Sequence, residues 1–177
     1  AVNGSPDPID ADNRSATKRA VCRESFVQRK MLLEVFSTEL CVNCAGAHVA
    51  IAEAMKDCDD YVELCHHAGF YTDGLTIDAS KDYEWFYRPS NLFAPALMAD
   101  RTNFGVEYPD YYNYGVPVIE GSGSRARLFH DVAMKIPALV SVDMNVALDR
   151  ETRAVSVNVK GNQLLPVEGA DMARLYV

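Results

Sequence analysis

The sequence is poor in positive charge and has no long apolar run. Lysine and arginine together number 17, against 25 aspartate and glutamate residues, which gives a formal net charge of -8 and a pI near 4.9. A protein that binds a phosphate backbone needs clustered basic side chains to release counterions, so we expect no nucleic-acid partner. No apolar run approaches the roughly 18 residues that indicate a membrane span, and no basic-then-apolar signal segment opens the chain.

The first part of the chain also has few apolar side chains. Gly4, Pro6 and Pro8 stand there among several Asp and Asn residues, a composition typical of a flexible leader, which we place at residues 1–24. Over the whole chain 49% of the residues are hydrophobic and 24% are charged, as in folded proteins. The length of 177 residues suits one ordinary domain with a small addition.

Residues 25–137 alternate between strand-like and helix-like patterns. The nearly continuous apolar run at 30–36 predicts a central strand that is buried on both faces of a sheet. From Cys44 the apolar positions recur at helical spacing and predict an amphipathic helix to about Asp57. The later patterns predict strands at 61–66, 95–99 and 116–119, a helix at 78–87 capped by Asp78, and a last helix capped by Ser124 and closed by Pro137. This order predicts an α/β fold with a small mixed sheet and helices on its faces.

The pattern changes after Pro137. Alternate residues are apolar at 140–148 and again at 155–159, with polar residues between the two runs, which predicts a β-hairpin. Residues 175–177 are typical of a third strand. We therefore assign 138–177 to the start of a β-rich, immunoglobulin-like domain, in which further strands or a partner would cover the exposed sheet edge.

Cys41 and Cys44 are separated by two residues, between the predicted first strand and the predicted first helix. A cysteine that caps a helix lies beside unpaired N–H groups and the positive end of the helix dipole, which favour thiolate over thiol. We therefore predict that Cys41 attacks a substrate disulfide and that Cys44, one turn inside the helix, is the buried resolving thiol. The alternative is a static structural disulfide in a non-catalytic, surface-anchored binding or adhesion module.

Three features resemble the thioredoxin superfamily: the motif Cys41-Val42-Asn43-Cys44, the strand before it, and Pro95 before a later strand, where that superfamily has a cis-proline beside its cysteine pair. Further segments are similar to the twenty-eight-kilodalton outer-membrane protein family of Bacteroides-type bacteria, which are thioredoxin-like lipoproteins followed by a β-domain. These segments are Leu33-Glu34-Val35-Phe36-Ser37-Thr38, Ala47-His48, His67-Ala68-Gly69 and Ala94-Pro95.

This resemblance implies a redox site made of Cys41, Cys44 and Pro95 in an oxidising cell envelope. It implies an outer-membrane-anchored protein that faces the periplasm or the surface, with protein thiols and disulfides or an unidentified envelope protein as partners. We expect contact with a membrane only through a lipid anchor outside this sequence. We expect no cofactor.

Two positions depart from the thioredoxin pattern. Leu40 stands where thioredoxins usually have tryptophan, and Val35 stands where many have a buried acid that assists proton transfer. Glu34 is one residue away and should face the other side of the sheet, because side chains alternate along a strand, so we do not assign it as a base. These departures argue against a general reductase.

Other residues leave alternatives open. Cys58 could form a disulfide with Cys65 or with Cys22, or all three could be buried, inert thiols. His48 with nearby Cys and His residues could suggest a soft-metal site such as copper, but lone histidines on apolar stripes are usually core groups, so we assign no metal. Four tyrosines at 108–114 could form a recognition loop, although covering the end of the sheet is the favoured interpretation.

Overall fold

The structure is a computed structural model that describes residues 27–87, 91–104 and 116–164. Its elements follow in chain order. They are β1 (Met31–Ser37), α1 (Cys44–Met55), β2 (Tyr61–His67), α2 (Asp78–Lys81), a 3₁₀ helix (Asp82–Phe86), β3 (Ala96–Ala99), β4 (Ile119–Glu120), α3 (Gly123–Ala133), β5 (Val140–Leu148) and β6 (Val155–Gln163).

The first four strands form one mixed sheet in the order β2-β1-β3-β4. Strand β1 runs parallel to β2 and antiparallel to β3, and β4 is antiparallel to β3. Strand β1 is therefore central, which explains its nearly continuous apolar sequence. The order confirms the predicted fold class, a thioredoxin-like mixed sheet with flanking helices followed by a β-hairpin.

Each face of this sheet packs against its own helices. On one face, Leu33 and Val35 of β1 join Ile51 of α1 and Phe129 of α3 in the larger apolar cluster. On the other face, a smaller cluster gathers around Phe36, with Tyr83 and Phe86 of the 3₁₀ helix and Met98 of β3 packed in it. The alternation of side chains along β1 thus sends neighbouring residues to two different layers of the molecule.

The predicted helix starts need correction. Helix α2 has Ile77, not Asp78, at its N-cap, and after Lys81 the chain continues as a 3₁₀ helix rather than an α-helix. Helix α3 is capped by Ser122, not Ser124, and the Ser122 hydroxyl accepts a hydrogen bond from the Arg125 amide at 3.4 Å. Both serines suit a cap, and the sequence alone does not show which of them adopts the extended backbone that a cap requires.

The predicted hairpin is confirmed. Strands β5 and β6 are antiparallel from Val140 opposite Gln163 to Leu148 opposite Val155, and they form a separate two-stranded sheet. The assignment of 138–177 to the start of a β-rich domain stays a prediction. The predicted leader at 1–24, the third strand at 175–177 and the tyrosines at 108–114 lie outside the described residues.

No helix in the described ranges combines the length and the hydropathy that crossing a bilayer requires.

Candidate functional site

Cys41 and Cys44 form a disulfide at the end of β1, with their Cα atoms 5.4 Å apart. The chain leaves β1 through a turn in which the Cys41 amide donates to the Thr38 carbonyl at 3.1 Å. Cys44 is buried, with 2% of its surface exposed, whereas Cys41 is partly exposed and Val42 between them is 93% exposed. The two cysteines therefore differ in access to solvent, as an attacking and a resolving thiol must.

Cys41 does not cap α1, so this part of the prediction is wrong. The helix begins at Cys44, and its N-cap is Asn43, whose side chain makes no capping hydrogen bond. The Cys44 amide instead donates to the Cys41 carbonyl at 3.2 Å, which places Cys41 before the helix and Cys44 in its first turn. Since the effect of the helix dipole falls off over the first turn, its influence on Cys41 is weaker than a capping position would give.

Pro95 lies at the same end of the sheet as the cysteine pair. The Ala94–Pro95 peptide bond is cis, and Ala96 pairs with Phe36, so Pro95 comes beside the point where β1 ends and the chain turns toward Cys41. The Pro95 carbonyl accepts a hydrogen bond from the Gly121 amide at 2.9 Å. The segments that carry the three predicted site residues thus leave the sheet at the same end of β1 and β3.

Asp73 fixes the loop that leads into the cysteine motif, a role that the sequence did not indicate. Its carboxylate accepts hydrogen bonds from His67 at 2.7 Å, from the Glu39 amide at 2.8 Å and from the Leu75 amide at 2.8 Å. The hydrogen bond from His67 and those from the two amides hold the pKa of Asp73 well below its usual range. The ionised carboxylate therefore ties Glu39, two residues before Cys41, to the end of β2.

Glu34 is a charged residue that is fully buried in the sheet. It accepts a hydrogen bond from Nε2 of His66 at 3.1 Å, and both of its oxygens accept from Arg101 at 3.0 Å. Arg101 also donates to the Tyr83 hydroxyl at 2.9 Å, and Nδ1 of His66 lies 3.4 Å from the Ser80 hydroxyl. The acid is thus fully paired on the face of the sheet that carries the 3₁₀ helix.

The charge state of Glu34 follows from these contacts. Burial raises the pKa of the carboxyl, but the hydrogen bonds from His66 and Arg101, together with the positive charge of Arg101, outweigh burial and leave the pKa of Glu34 below its usual value. Glu34 and Val35 face opposite sides of the sheet, as predicted. The acid therefore lies away from α1, and its role is to hold an ion pair.

The sequence held only a weak signal for this cluster. Glu34 is a lone acid inside an otherwise apolar run, which marks a charge that needs partners. The partners His66 and Arg101 are 32 and 67 positions away, and nothing in their local sequence connects them to Glu34. The structure brings them together because β2 and the turn after β3 both flank β1.

The remaining candidates stay apart. Cys58 and Cys65 are both free thiols, so of the alternatives left open the bridge between them is absent, and Cys22 lies outside the described residues. His48 makes a long contact of 4.0 Å with Glu63. In the part of the chain that the structure describes, no three His, Cys, Asp or Glu side chains converge as metal ligands would.

The first sheet is built from a βαβ unit followed by two antiparallel strands and a helix. This arrangement is a thioredoxin-like fold. HBP35 of Porphyromonas gingivalis has a similar structure, with a TM-score of 0.56 and 16% sequence identity over 80% of this chain and 44% of that one. This chain therefore spans less than half of HBP35. At this identity the similarity shows the fold alone.

A structural genomics target protein from Agrobacterium tumefaciens is also similar, with a TM-score of 0.45 and 16% identity over 76% of this chain and 58% of that one. No protein-family model and no curated protein matches the sequence.

Proposed function

We propose that this chain is a thioredoxin-like thiol–disulfide protein of the cell envelope, in which Cys41 attacks, Cys44 resolves and Pro95 shapes the groove for the substrate. The unequal exposure of the two cysteines carries the proposal. The buried Cys44 and the partly exposed Cys41 suit a reaction in which only one sulfur meets the substrate.

The reaction is a thiol–disulfide exchange in two steps. The Cys41 thiolate attacks one sulfur of a substrate disulfide, forms a mixed disulfide with it and releases the other substrate sulfur as a thiolate. Cys44 then loses its proton, through water, to the substrate thiolate already released, and attacks the Cys41 sulfur, which closes the Cys41–Cys44 disulfide and releases the second substrate thiolate. The substrate disulfide is reduced to two thiols and the protein is oxidised, so electrons balance.

The surroundings of Cys41 suit a peptide substrate. Leu40 and Val42 flank Cys41 and are 58% and 93% exposed, so they offer apolar contact on both sides of the reacting sulfur. Val35 provides no group to accept the proton of Cys44, and Glu34 is committed to Arg101 and His66 on the other face. We therefore propose that the resolving step is slower than in thioredoxins that carry a buried acid there.

The setting in the cell envelope rests on the motifs that resemble the twenty-eight-kilodalton outer-membrane protein family. Disulfides persist in oxidising compartments, and the Cys41–Cys44 disulfide suits one. We propose an outer-membrane anchor outside this sequence, a thioredoxin-like domain at 25–137, and the start of a β-rich domain at 138–177. The partners are envelope proteins with thiols or disulfides.

Trapping the mixed disulfide tests the proposal. In a background with Cys22, Cys58 and Cys65 changed to Ser, Cys44→Ser should form a stable mixed disulfide with oxidised glutathione, because Cys41 is accessible and its resolving partner is gone. The matched variant Cys41→Ser should react much more slowly, since Cys44 is buried. Intact-mass spectrometry measures both products. Equal reaction of the two variants, or no reaction of either, would contradict these roles.

The reduction potential separates turnover from a structural disulfide. Exchange proteins have potentials of about -120 to -270 mV, and structural disulfides lie below about -300 mV. The same background protein, in which only Cys41 and Cys44 remain, is equilibrated in glutathione redox buffers. Differential alkylation then measures the reduced fraction, which gives the reduction potential of the Cys41–Cys44 pair. We expect a value inside the exchange range. A potential below it would support the non-catalytic binding module instead.

A further inference from the structure

A second group of reactive side chains lies at the opposite end of α1. Sγ of Cys58 is 3.8 Å from Nδ1 of His130, and Nε2 of the same ring is 2.6 Å from a carboxylate oxygen of Asp60. Cys58 and Asp60 come from the turn between α1 and β2, and His130 comes from α3. A thiol, an imidazole and a carboxylate in this order are the components of an activated nucleophile.

The contact with Asp60 determines which nitrogen of His130 carries a proton. An ionised carboxylate only accepts hydrogen bonds, so Nε2 donates to Asp60. This hydrogen bond keeps the pKa of Asp60 below its usual value, so the carboxylate is charged at neutral pH. In the neutral ring, Nδ1 is then unprotonated and can accept a proton, with the Cys58 sulfur 3.8 Å away and a carboxylate oxygen of Asp131 3.5 Å away. His130 is therefore in the tautomer that accepts the thiol proton.

Other charged groups face this cluster. Asp131 places a carboxylate oxygen 3.5 Å from Nδ1 of His130, and Arg127 donates to that same oxygen at 3.1 Å. Arg127 interacts electrostatically with Cys58 as well as with Asp57. When His130 holds the proton, the imidazolium lies 3.8 Å from the Cys58 sulfur, and Asp60 and Asp131 face the imidazolium. Tyr61 also interacts electrostatically with Cys58, and Lys30 with Asp60.

Cys58 is separate from the Cys41–Cys44 pair. Cys44 begins α1 and Cys58 follows its last turn, so about 20 Å of helix rise separates the two positions. An exchange between them within one molecule is therefore impossible. Cys58 is a free thiol and is partly exposed. No cysteine among the residues that the structure describes is bonded to Cys58, so we look for its reaction partner in solution.

We propose that Cys58, His130 and Asp60 form a second thiol site, which captures small disulfides from solution. The Cys58 proton passes to Nδ1 of His130, and the thiolate attacks one sulfur of the small disulfide. A new disulfide forms between Cys58 and that sulfur, the old sulfur–sulfur bond breaks, and the leaving thiolate takes the proton back from His130. One disulfide is consumed and one is formed, so the exchange is balanced without a further oxidant. In this step Asp60 is a positioning residue that acts through His130.

Cys65 provides a second thiol in the same chain for comparison. As a residue Cys65 is more exposed than Cys58. Partial burial of the Cys65 sulfur, together with the charges of Glu63 and Asp73, nevertheless raises the pKa of Cys65. Two single-thiol proteins, Cys22→Ser/Cys65→Ser and Cys22→Ser/Cys58→Ser, are kept free of reductant so that Cys41–Cys44 stays oxidised. Their reaction with neutral 4,4′-dithiodipyridine is followed by absorbance. We expect Cys58 to react at least about tenfold faster than Cys65 near neutral pH.

Variants of the two partners test the mechanism. His130→Asn should slow the reaction of Cys58 by about tenfold or more, because it removes the proton acceptor. Asp60→Asn should change how the rate at which Cys58 reacts with the disulfide depends on pH between about pH 6 and pH 8. If Asp60 had only a structural role, this pH dependence would stay the same. In the protein that retains only Cys65, His130→Asn should leave the rate unchanged, and circular dichroism should show an intact fold.

The proposal is overturned if Cys58 reacts no faster than Cys65, or if its rate and pH profile are the same with and without His130 and Asp60. Should His130→Asn fail to fold, the pH profile of Asp60→Asn decides alone. None of these measurements involves reduced Cys41 or Cys44. Their outcome is therefore independent of the function proposed for that pair.

Discussion

At the scale of single residues, the fully paired Glu34 is the most consequential side chain outside the cysteine motif. Burial of an unpaired carboxylate is expensive, and here the bidentate contact with Arg101 and the hydrogen bond from His66 offset it. The Arg101 side chain remains 42% exposed, so water can still solvate the guanidinium if its partner is lost. Loss of the Glu34 charge should therefore lower the free energy of unfolding by less than the loss of one partner of a fully buried ion pair does.

Glu34→Gln tests this balance. The amide keeps the shape but lacks the charge and one acceptor oxygen, so we expect the free energy of unfolding to fall by about 2 kcal/mol. Chemical denaturation measures this change. Glu53→Gln is the control, because Glu53 forms an exposed pair with Lys56 and its loss should cost less than about 0.5 kcal/mol. Equal effects of the two substitutions would show that burial does not matter at Glu34.

The same variant gives a pH dependence with a definite sign. The pKa of Glu34 is lower in the folded protein than in the unfolded chain, so its contribution is complete above the unfolded value of about 4.3 and is lost as the pH falls through the folded value. Below that range, the difference in stability between wild type and Glu34→Gln should shrink. A difference that stays constant down to acidic pH would contradict the assignment of a charged carboxylate.

At the scale of elements, the close approach of α1 and α3 depends on the absence of a side chain. A Cβ atom added to Gly123 would overlap the backbone carbonyl of Ala50 and press on Ala54. Backbone atoms of a packed helix have little freedom to yield, so α3 would have to move away from α1. In contrast, Gly46 on α1 has open space around its Cα.

Gly123→Ala and Gly46→Ala should therefore change stability in opposite directions. We expect the first to destabilise the protein by about 1–3 kcal/mol through overpacking. The second should stabilise it by about 0.5–1 kcal/mol, because alanine in a helix loses less backbone entropy on folding than glycine. Thermal unfolding monitored by circular dichroism measures both. If Gly123→Ala were neutral or stabilising, the two helices would have room that the structure does not show.

The sequence predicted those elements whose pattern is local. The apolar run at β1, the helical spacing of α1 and the alternation in β5 and β6 each depend on neighbouring residues, and all three are present. The start of α1 at Cys44 was predicted, but its N-cap was not, because whether Cys41 or Asn43 serves as N-cap depends on backbone angles that the side chains do not reveal. Elements shorter than a few residues, such as β4, depend on the sheet beside them.

The candidate site could likewise be predicted only where its residues form a recognisable sequence pattern. Cys41, Cys44 and Pro95 form a pattern that can be read from spacing and resemblance. The hydrogen bonds to Asp73 and the Glu34 cluster come from contacts across the sheet, and they could not be read in that way. Arg101 in particular reaches Glu34 from a turn in which Asp100 and Arg101 both adopt positive φ angles, 49° and 52°, without the glycine that usually marks such a turn.

At the scale of the whole molecule, the two sheets differ in how they bury apolar surface. The described strands of the first sheet have their apolar residues between two layers of helices. In the hairpin, apolar residues of β5 and β6 share one face and remain between 40% and 62% exposed. These residues are Val140, Val142, Met144, Val146, Leu148, Val155 and Val157. A two-stranded hairpin is marginally stable by itself, so its stability depends on what covers that face.

Hydrogen exchange distinguishes a bare hairpin from a covered one. If the hairpin is held only by its own ladder, the β5 and β6 amides should exchange by local opening, at rates about 100-fold or more above those of the β1 amides, which should need global unfolding. Mass spectrometry of peptides from the intact chain compares the two regions in one sample, with β1 as internal standard. Similar protection of β1 and the hairpin would contradict this prediction, and it would mean that another segment or a partner covers the apolar face in solution.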